Sequence, residues 1–232
     1  MAELVRLTSN SEIPWMTTTQ SFLPTPALLL VTVLLCGTAN AGRPLTVDDA
    51  NVDPAGTGHV EAWLAHAPGA RVYSVAPAYA PVDGLELGAL LARDHRASVT
   101  LSALQAKWRI TPSRDTGCNL GAVAGLGHET ASPSTGYLNG LLTCNHPDLG
   151  SSHFNLGVSR TGHASSRKGW GIAYERPLGS VTPHVEWFGS QQAKPTIQVG
   201  LRGDVAKGLQ LDGSVGRSAG ALLYTLGTKL LF

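Results

Sequence analysis

The sequence predicts an all-β protein: an antiparallel transmembrane β-barrel of about 12 strands, preceded by a cleaved N-terminal signal. Three observations point there. Short alternating segments broken by turn residues fill the chain after Gly42, charge is scarce, and the last strand ends on the terminal aromatic Phe232. Of 232 residues, 14% are charged and 43% hydrophobic, where soluble domains carry roughly 25% charge. Alternation of lipid-facing and lumen-facing side chains keeps charge low without raising mean hydropathy. A formal net charge of +1 leaves no electrostatic footprint for nucleic acid.

The elements follow in order. An apolar run over 27–35 and the small-residue site Ala39-Asn40-Ala41 read as a secretory signal over 1–41, too short to span a membrane as a helix. Met16 is an alternative start, which would put 1–15 outside the natural chain. Cys36 precedes Gly37, but Leu35 stands where lipoprotein cleavage wants a small side chain. Residues 42–57 form a periplasmic or plug segment, and 58–232 the barrel.

Turn residues delimit strands near 58–66, 70–79, 84–93, 97–110, 118–128, 135–145, 152–162, 169–176, 180–190, 195–204, 208–217 and 221–232. Such spacing of strands of about ten residues is that of an outer-membrane barrel. Period-two alternation sorts their faces: Phe154, Leu156 and Val158 oppose His153, Asn155 and Gly157, and Ile197, Val199 and Leu201 oppose Gln198, Gly200 and Arg202. The stretch 97–110 changes phase between Val99-Leu101-Ala103 and Leu104-Trp108-Ile110. A bulge near Ala103 explains that; the alternative is that Ser98, Thr100 and Ser102 face lipid at a membrane edge. The tight turns 175–180 and 202–208 read as periplasmic, and the longer 161–169 and 189–196 as external.

On the terminal strand Tyr224, Leu226, Leu230 and Phe232 share one face, with Lys229 on the other. Trp63, Trp108, Trp170, Trp187, Tyr73, Tyr79, Tyr137, Tyr174 and Tyr224 fall towards strand ends, as aromatic girdles do; for Trp63, stacking on a ligand is the sharper alternative. Cys118 and Cys144 lie equidistant from a hairpin centre near Ala131. Export permits a disulfide between them, with two buried thiols as the other reading.

The inward-facing set holds Glu61, Glu86, Glu175, His184, Glu186, Gln198, Arg202, Asp204, Asp212 and Lys229, and acids outnumber bases. Such a lining sets the selectivity of a polar channel for cations or polar solutes. Alternatively, salt bridges such as Arg202 with Asp212 or Glu186 with Lys229 fill the lumen and close it. His163 and Ser165 have the two-residue spacing of outer-membrane lipid hydrolases, but Ser166 stands where an Asn is wanted and the pair falls in a loop. No catalytic residue is assigned. The eight histidines show no ligand spacing, so neither metal nor cofactor is expected.

"RPLTVDDANVDPAGTGHVEAWLA" (43–65), "LQAKWRI" (104–110) and the stretch 195–232 resemble the proteobacterial outer-membrane proteins classed as transporters of the phenol-degradation meta-pathway type. The resemblance implies an outer-membrane β-barrel in a Gram-negative cell. The terminal strand also resembles the signal read by the barrel assembly machinery, carried here by Tyr224, Leu226, Leu230 and Phe232. The expected function is passive movement of a small solute through a monomeric barrel with lipid around it; the rivals are a structural barrel with a filled lumen and a lipid hydrolase.

Overall fold

The computed structural model describes residues 45–232. The expected leader over 1–41, Cys36 included, and residues 42–44 lie outside them. Twelve strands follow in order: β1 (Gly58–Ala67), β2 (Ala70–Val82), β3 (Leu85–Asp94), β4 (Val99–Arg109), β5 (Gly117–Glu129), β6 (Thr135–His146), β7 (Gly150–Thr161), β8 (Arg167–Glu175), β9 (Val181–Ser190), β10 (Thr196–Ala206), β11 (Leu209–Ser218) and β12 (Ala221–Leu231). Each pairs antiparallel with its sequence neighbour, and β12 returns to β1, so the sheet is a closed barrel. Closure leaves no unpaired edge, which lets a sheet cross a bilayer.

The seam is made at Phe232. Gly58 N–H donates to the Phe232 carbonyl at 2.9 Å, and Phe232 N–H returns the bond at 2.9 Å. Position 58 has room for nothing larger than glycine: a Cβ there would stand 2.4 Å from the Ala78 carbonyl and 3.0 Å from the Phe232 ring.

Large apolar side chains point away from the barrel all round it. Leu104, Leu126 and Leu156 are 69%, 68% and 71% exposed, far beyond the isolated apolar residues of a water-facing surface. Aromatic side chains rim this band. Tyr79, Trp108 and Tyr174 face outward near the rim where β1 begins, and Tyr73, Trp170, Trp187 and Tyr224 near the opposite rim. Two aromatics expected in the girdles are instead inside. Trp63 packs against the buried cluster of Ala65, Val72, Leu90 and Leu101, and Tyr137 packs against that of Ala50, Val123 and Leu141.

β4 carries no bulge. Its register with β3 runs unbroken from Leu85↔Trp108 to Asp94↔Val99. Leu101 and Ala103 face inward onto the apolar cluster, while Thr100 and Ser102 lie on the outward face near the rim. The phase change therefore arises because the inner wall of β1–β4 is apolar towards one rim and charged towards the other. The irregularities lie elsewhere, between Tyr79 and Val82 and between Asp204 and Ala206.

The connections 176–180 and 207–208 share the rim of the termini, and 162–166 and 191–195 the opposite one. Length does not separate the rims, because the longest connection, 110–116, lies on the side of the termini. It is tied down: Arg114 N–H donates to Asn119 Oδ1 at 2.9 Å, and Asn119 and Asn145 both donate to its carbonyl, at 3.0 and 2.8 Å. On the outer face, Cys118 and Cys144 are directly paired across β5 and β6, and their sulfurs are bonded.

Candidate functional site: the lumen and the segment within it

Residues 45–57 have no helical or strand period and run inside the barrel, where their backbone polar groups must find partners. Gly56 and Thr57 pair with the Ala80 backbone on β2; from Thr46 to Asp53, wall side chains take the place of a neighbouring strand. Thr46 N–H and Val47 N–H both donate to Glu186 Oε2 on β9, the second at 2.8 Å. Asp48 N–H donates to Asn155 Oδ1 on β7 at 2.7 Å, and Asn155 Nδ2 returns a bond to the Asp48 carbonyl at 2.7 Å. Ala50 N–H donates to Thr143 Oγ1 on β6 at 2.9 Å, and Asp53 N–H to Glu86 Oε2 on β3 at 3.2 Å. Four strands thus hold five amides of one irregular segment.

The apolar side chains of the segment alternate with these contacts. Leu45 and Val47 pack on Ala173 and Phe188; Ala50 packs on Val123 and Leu141. Two inward glycines make the room. A Cβ on Gly171 would stand 2.8 Å from Val47 Cγ2, and one on Gly121 would stand 3.2 Å from Ala50 Cα.

Charge completes the seat. Lys107 Nζ on β4 lies 2.8 Å from Asp48 Oδ1 and 3.4 Å from Asp49 Oδ1, with side chains 5% (Lys107) and 0% (Asp48) exposed. Burial lifts the Asp48 carboxyl to about 7, although Lys107 pulls the other way. Burial also opposes ionisation of Asp49, but Lys107 and then His153 outweigh it and hold that carboxyl below the usual range. Asp53 is held low chiefly by its hydrogen bond to His59.

Of the set expected to face inward, Glu61, Glu86, His184, Glu186, Gln198 and Asp212 are buried and Glu175, Arg202 and Lys229 half-buried, and the structure pairs most of them. Glu186 accepts from Gln198 Nε2 at 2.6 Å and lies 3.9 Å from His184 Nε2. Arg202 forks onto Glu175, at 3.0 and 2.9 Å, and His153 lies 3.6 Å from the same carboxylate. Lys229 is 3.3 Å from Glu61. The sequence had matched Arg202 to Asp212 and Lys229 to Glu186; these two cations reach Glu175 and Glu61. Asp212 is buried opposite Arg202, and Asp204 lies exposed at the rim near Gln210. His163 and Ser165 sit exposed in the turn between β7 and β8, away from any buried pocket where a nucleophile's base could be oriented. Lys107, Thr143 and the two glycines were not singled out in the sequence, and Asn155 was read only as lying on the face opposite Phe154, though the position of Lys107 between Ala106 and Trp108 carried the inward signal.

Closed barrel, outward apolar belt, aromatic rims and a partly polar interior are the architecture of a transmembrane β-barrel, and comparisons with solved structures agree on the fold. The KdgM porin superposes with a TM-score of 0.62 at 14% identity, over 74% of this chain and 98% of its own. The same porin in complex with disordered oligogalacturonate gives 0.64 at 12% identity, over 74% and 98%. The COG4313 outer membrane channel from Pseudomonas putida F1 gives 0.56 at 13% identity, over 79% and 98%. No curated protein sequence matches the chain. The chain belongs to the family described as uncharacterised conserved protein UCP029691, whose model matches residues 29–231.

Proposed function

We propose that this barrel sits in the outer membrane as a passive channel for a small polar solute, with residues 45–57 as its internal plug. The observation that carries the reading is the seat of the segment: five backbone amides bound to wall side chains of β3, β6, β7 and β9. Irregular backbone at membrane depth persists only where protein or a polar cavity receives it, and a wall built to receive it has a polar interior once the segment leaves. Carboxylates exceed cations among Glu61, Glu86, Glu175, Glu186, Asp212, Arg202 and Lys229. That balance favours neutral or cationic solutes over acidic chains such as the oligogalacturonate bound by KdgM. The resemblance to meta-pathway transporters supports transport as the role.

The test is planar-bilayer recording of the mature barrel beside a variant lacking 42–57. The variant is expected to conduct at least several-fold more than the intact chain. A second reading, a structural barrel with a filled lumen, draws on the apolar cluster of Ala65, Val72, Ala76, Leu90, Ala92 and Leu101, which packs the inner wall without help from the segment. If neither form conducts, the second reading stands and the channel is abandoned.

A further inference from the structure

We infer that Asp53, His59 and Glu86 form a site for a first-row divalent metal ion of the zinc type, which pins the internal segment to the barrel wall. The three residues come from three places: Asp53 from the segment, His59 from β1 and Glu86 from β3. One ligand atom from each lies within 4.8 Å of the others. His59 Nδ1 is 2.6 Å from Asp53 Oδ2, and Glu86 Oε2 accepts the Asp53 amide at 3.2 Å. An ion bound at about 2.0 Å from each would hold these atoms about 3.3 Å apart, so it would replace the His59–Asp53 hydrogen bond, opening that pair from 2.6 Å, and draw in the ligand atoms now up to 4.8 Å apart, changes that side-chain rotation can supply.

A second feature points to a metal rather than to a chance cluster. The other ring nitrogen of His59, Nε2, faces Glu61 Oε1 at 3.5 Å, and Glu61 is in turn 3.3 Å from Lys229. A carboxylate behind the distal nitrogen is how metal-ligating histidines are oriented and made more basic. His59 and Glu86 are both 6% exposed, so ligand directions are fixed by packing. Lys107 lies across from Glu86 in the sheet, but its ammonium is directed to Asp48 at 2.8 Å.

One imidazole and two carboxylates, with a coordination position left for water, suit zinc and its first-row neighbours; all-oxygen sites suit magnesium and calcium. Spacing along the chain carries no sign of the site, because Asp53, His59 and Glu86 do not fall at a short repeating interval.

The experiment titrates Zn2+ alone into the purified mature barrel in detergent, against a chromophoric chelator, with Mg2+ as comparison. Expected are one ion per barrel, weakening of at least tenfold in His59→Ala and in Asp53→Asn, and a tenfold to hundredfold loss in Glu61→Gln. His163→Ala, on an exposed turn, is expected to bind as the parent does. Heat-modifiable mobility reports that each barrel is folded, and Asp53→Asn, outside the strands, keeps the test available if His59→Ala does not assemble. Absence of Zn2+ binding, binding unaltered by both His59→Ala and Asp53→Asn, or Mg2+ bound as tightly as Zn2+ would each overturn the site. The inference rests on the seating of the segment and not on conduction, so a barrel that never conducts leaves it standing.

Discussion

Lys107 and Asp48 meet inside the barrel, Nζ to Oδ1 at 2.8 Å, with side chains 5% and 0% exposed. One is fixed on a wall strand, the other on a segment that crosses the lumen. Their contact couples the wall to its contents.

Removal of one partner from a buried pair leaves an uncompensated charge and costs about 3–5 kcal/mol. Lys107→Met is therefore expected to unseat 45–57 and to lower barrel stability by about that amount. Lys107→Met with Asp48→Asn is expected to recover much of the loss. Denaturant unfolding in detergent measures both, and a single variant as stable as the parent would show that the pair does not hold the segment.

Gly171→Ala places a methyl where Val47 now sits, since the Cβ would be 2.8 Å from Val47 Cγ2. Overpacking of this size costs about 1–3 kcal/mol. Addition of Val47→Ala makes room again, so the double variant is expected to regain protection of 45–57 from a soluble protease. Additive losses would mean that the two positions do not touch.

The seat of the segment depends on pH through Asp48. Facing or near it are Lys107 from β4, Glu86 from β3, Tyr137 from β6, His153 from β7 and its own neighbour Asp49. Burial raises its carboxyl to about 7, against about 3.9 when free. The seated form thus binds the proton more tightly, and seating strengthens as pH falls from about 7 towards 4. Proteolysis of 45–57 is expected to slow over that interval and to lose this dependence in Asp48→Asn. Faster cleavage on acidification from 7 to 4 would contradict it.

On the outer face, Leu156 is 71% exposed in the middle of β7. If that face meets hydrocarbon, Leu156→Arg costs about 2–4 kcal/mol in a bilayer, and refolding into lipid vesicles is expected to show it. An unchanged unfolding midpoint would argue for water outside the barrel.

Strand positions were legible because one period governs every wall: an outward side chain follows each inward one, as in Phe154 after His153. The reading faltered at β4, where Leu101 and Ala103 are as apolar as Leu104 and Trp108 but face the lumen, so hydropathy alone did not mark the side. It also placed Trp63 and Tyr137 in the girdles, since ring chemistry suits a membrane rim and a packed lumen equally. The partners of the inward charges were out of reach. Alternation says which way Arg202 points, but its meeting with Glu175 depends on rotamers and on the strand stagger. The seat of 45–57 was least visible, because Asp48 and Lys107 stand 59 positions apart with no period linking them.

The seam between Gly58 and Phe232 has a kinetic consequence. Every other strand pairing joins sequence neighbours and closes a short loop, whereas the seam joins the two ends of the barrel and bears the largest loop-closure entropy. Contact order therefore predicts that the local hairpins of the wall form before the ring closes. Phe232 is the residue that completes the ring, so the cylinder cannot shut until it has reached Gly58.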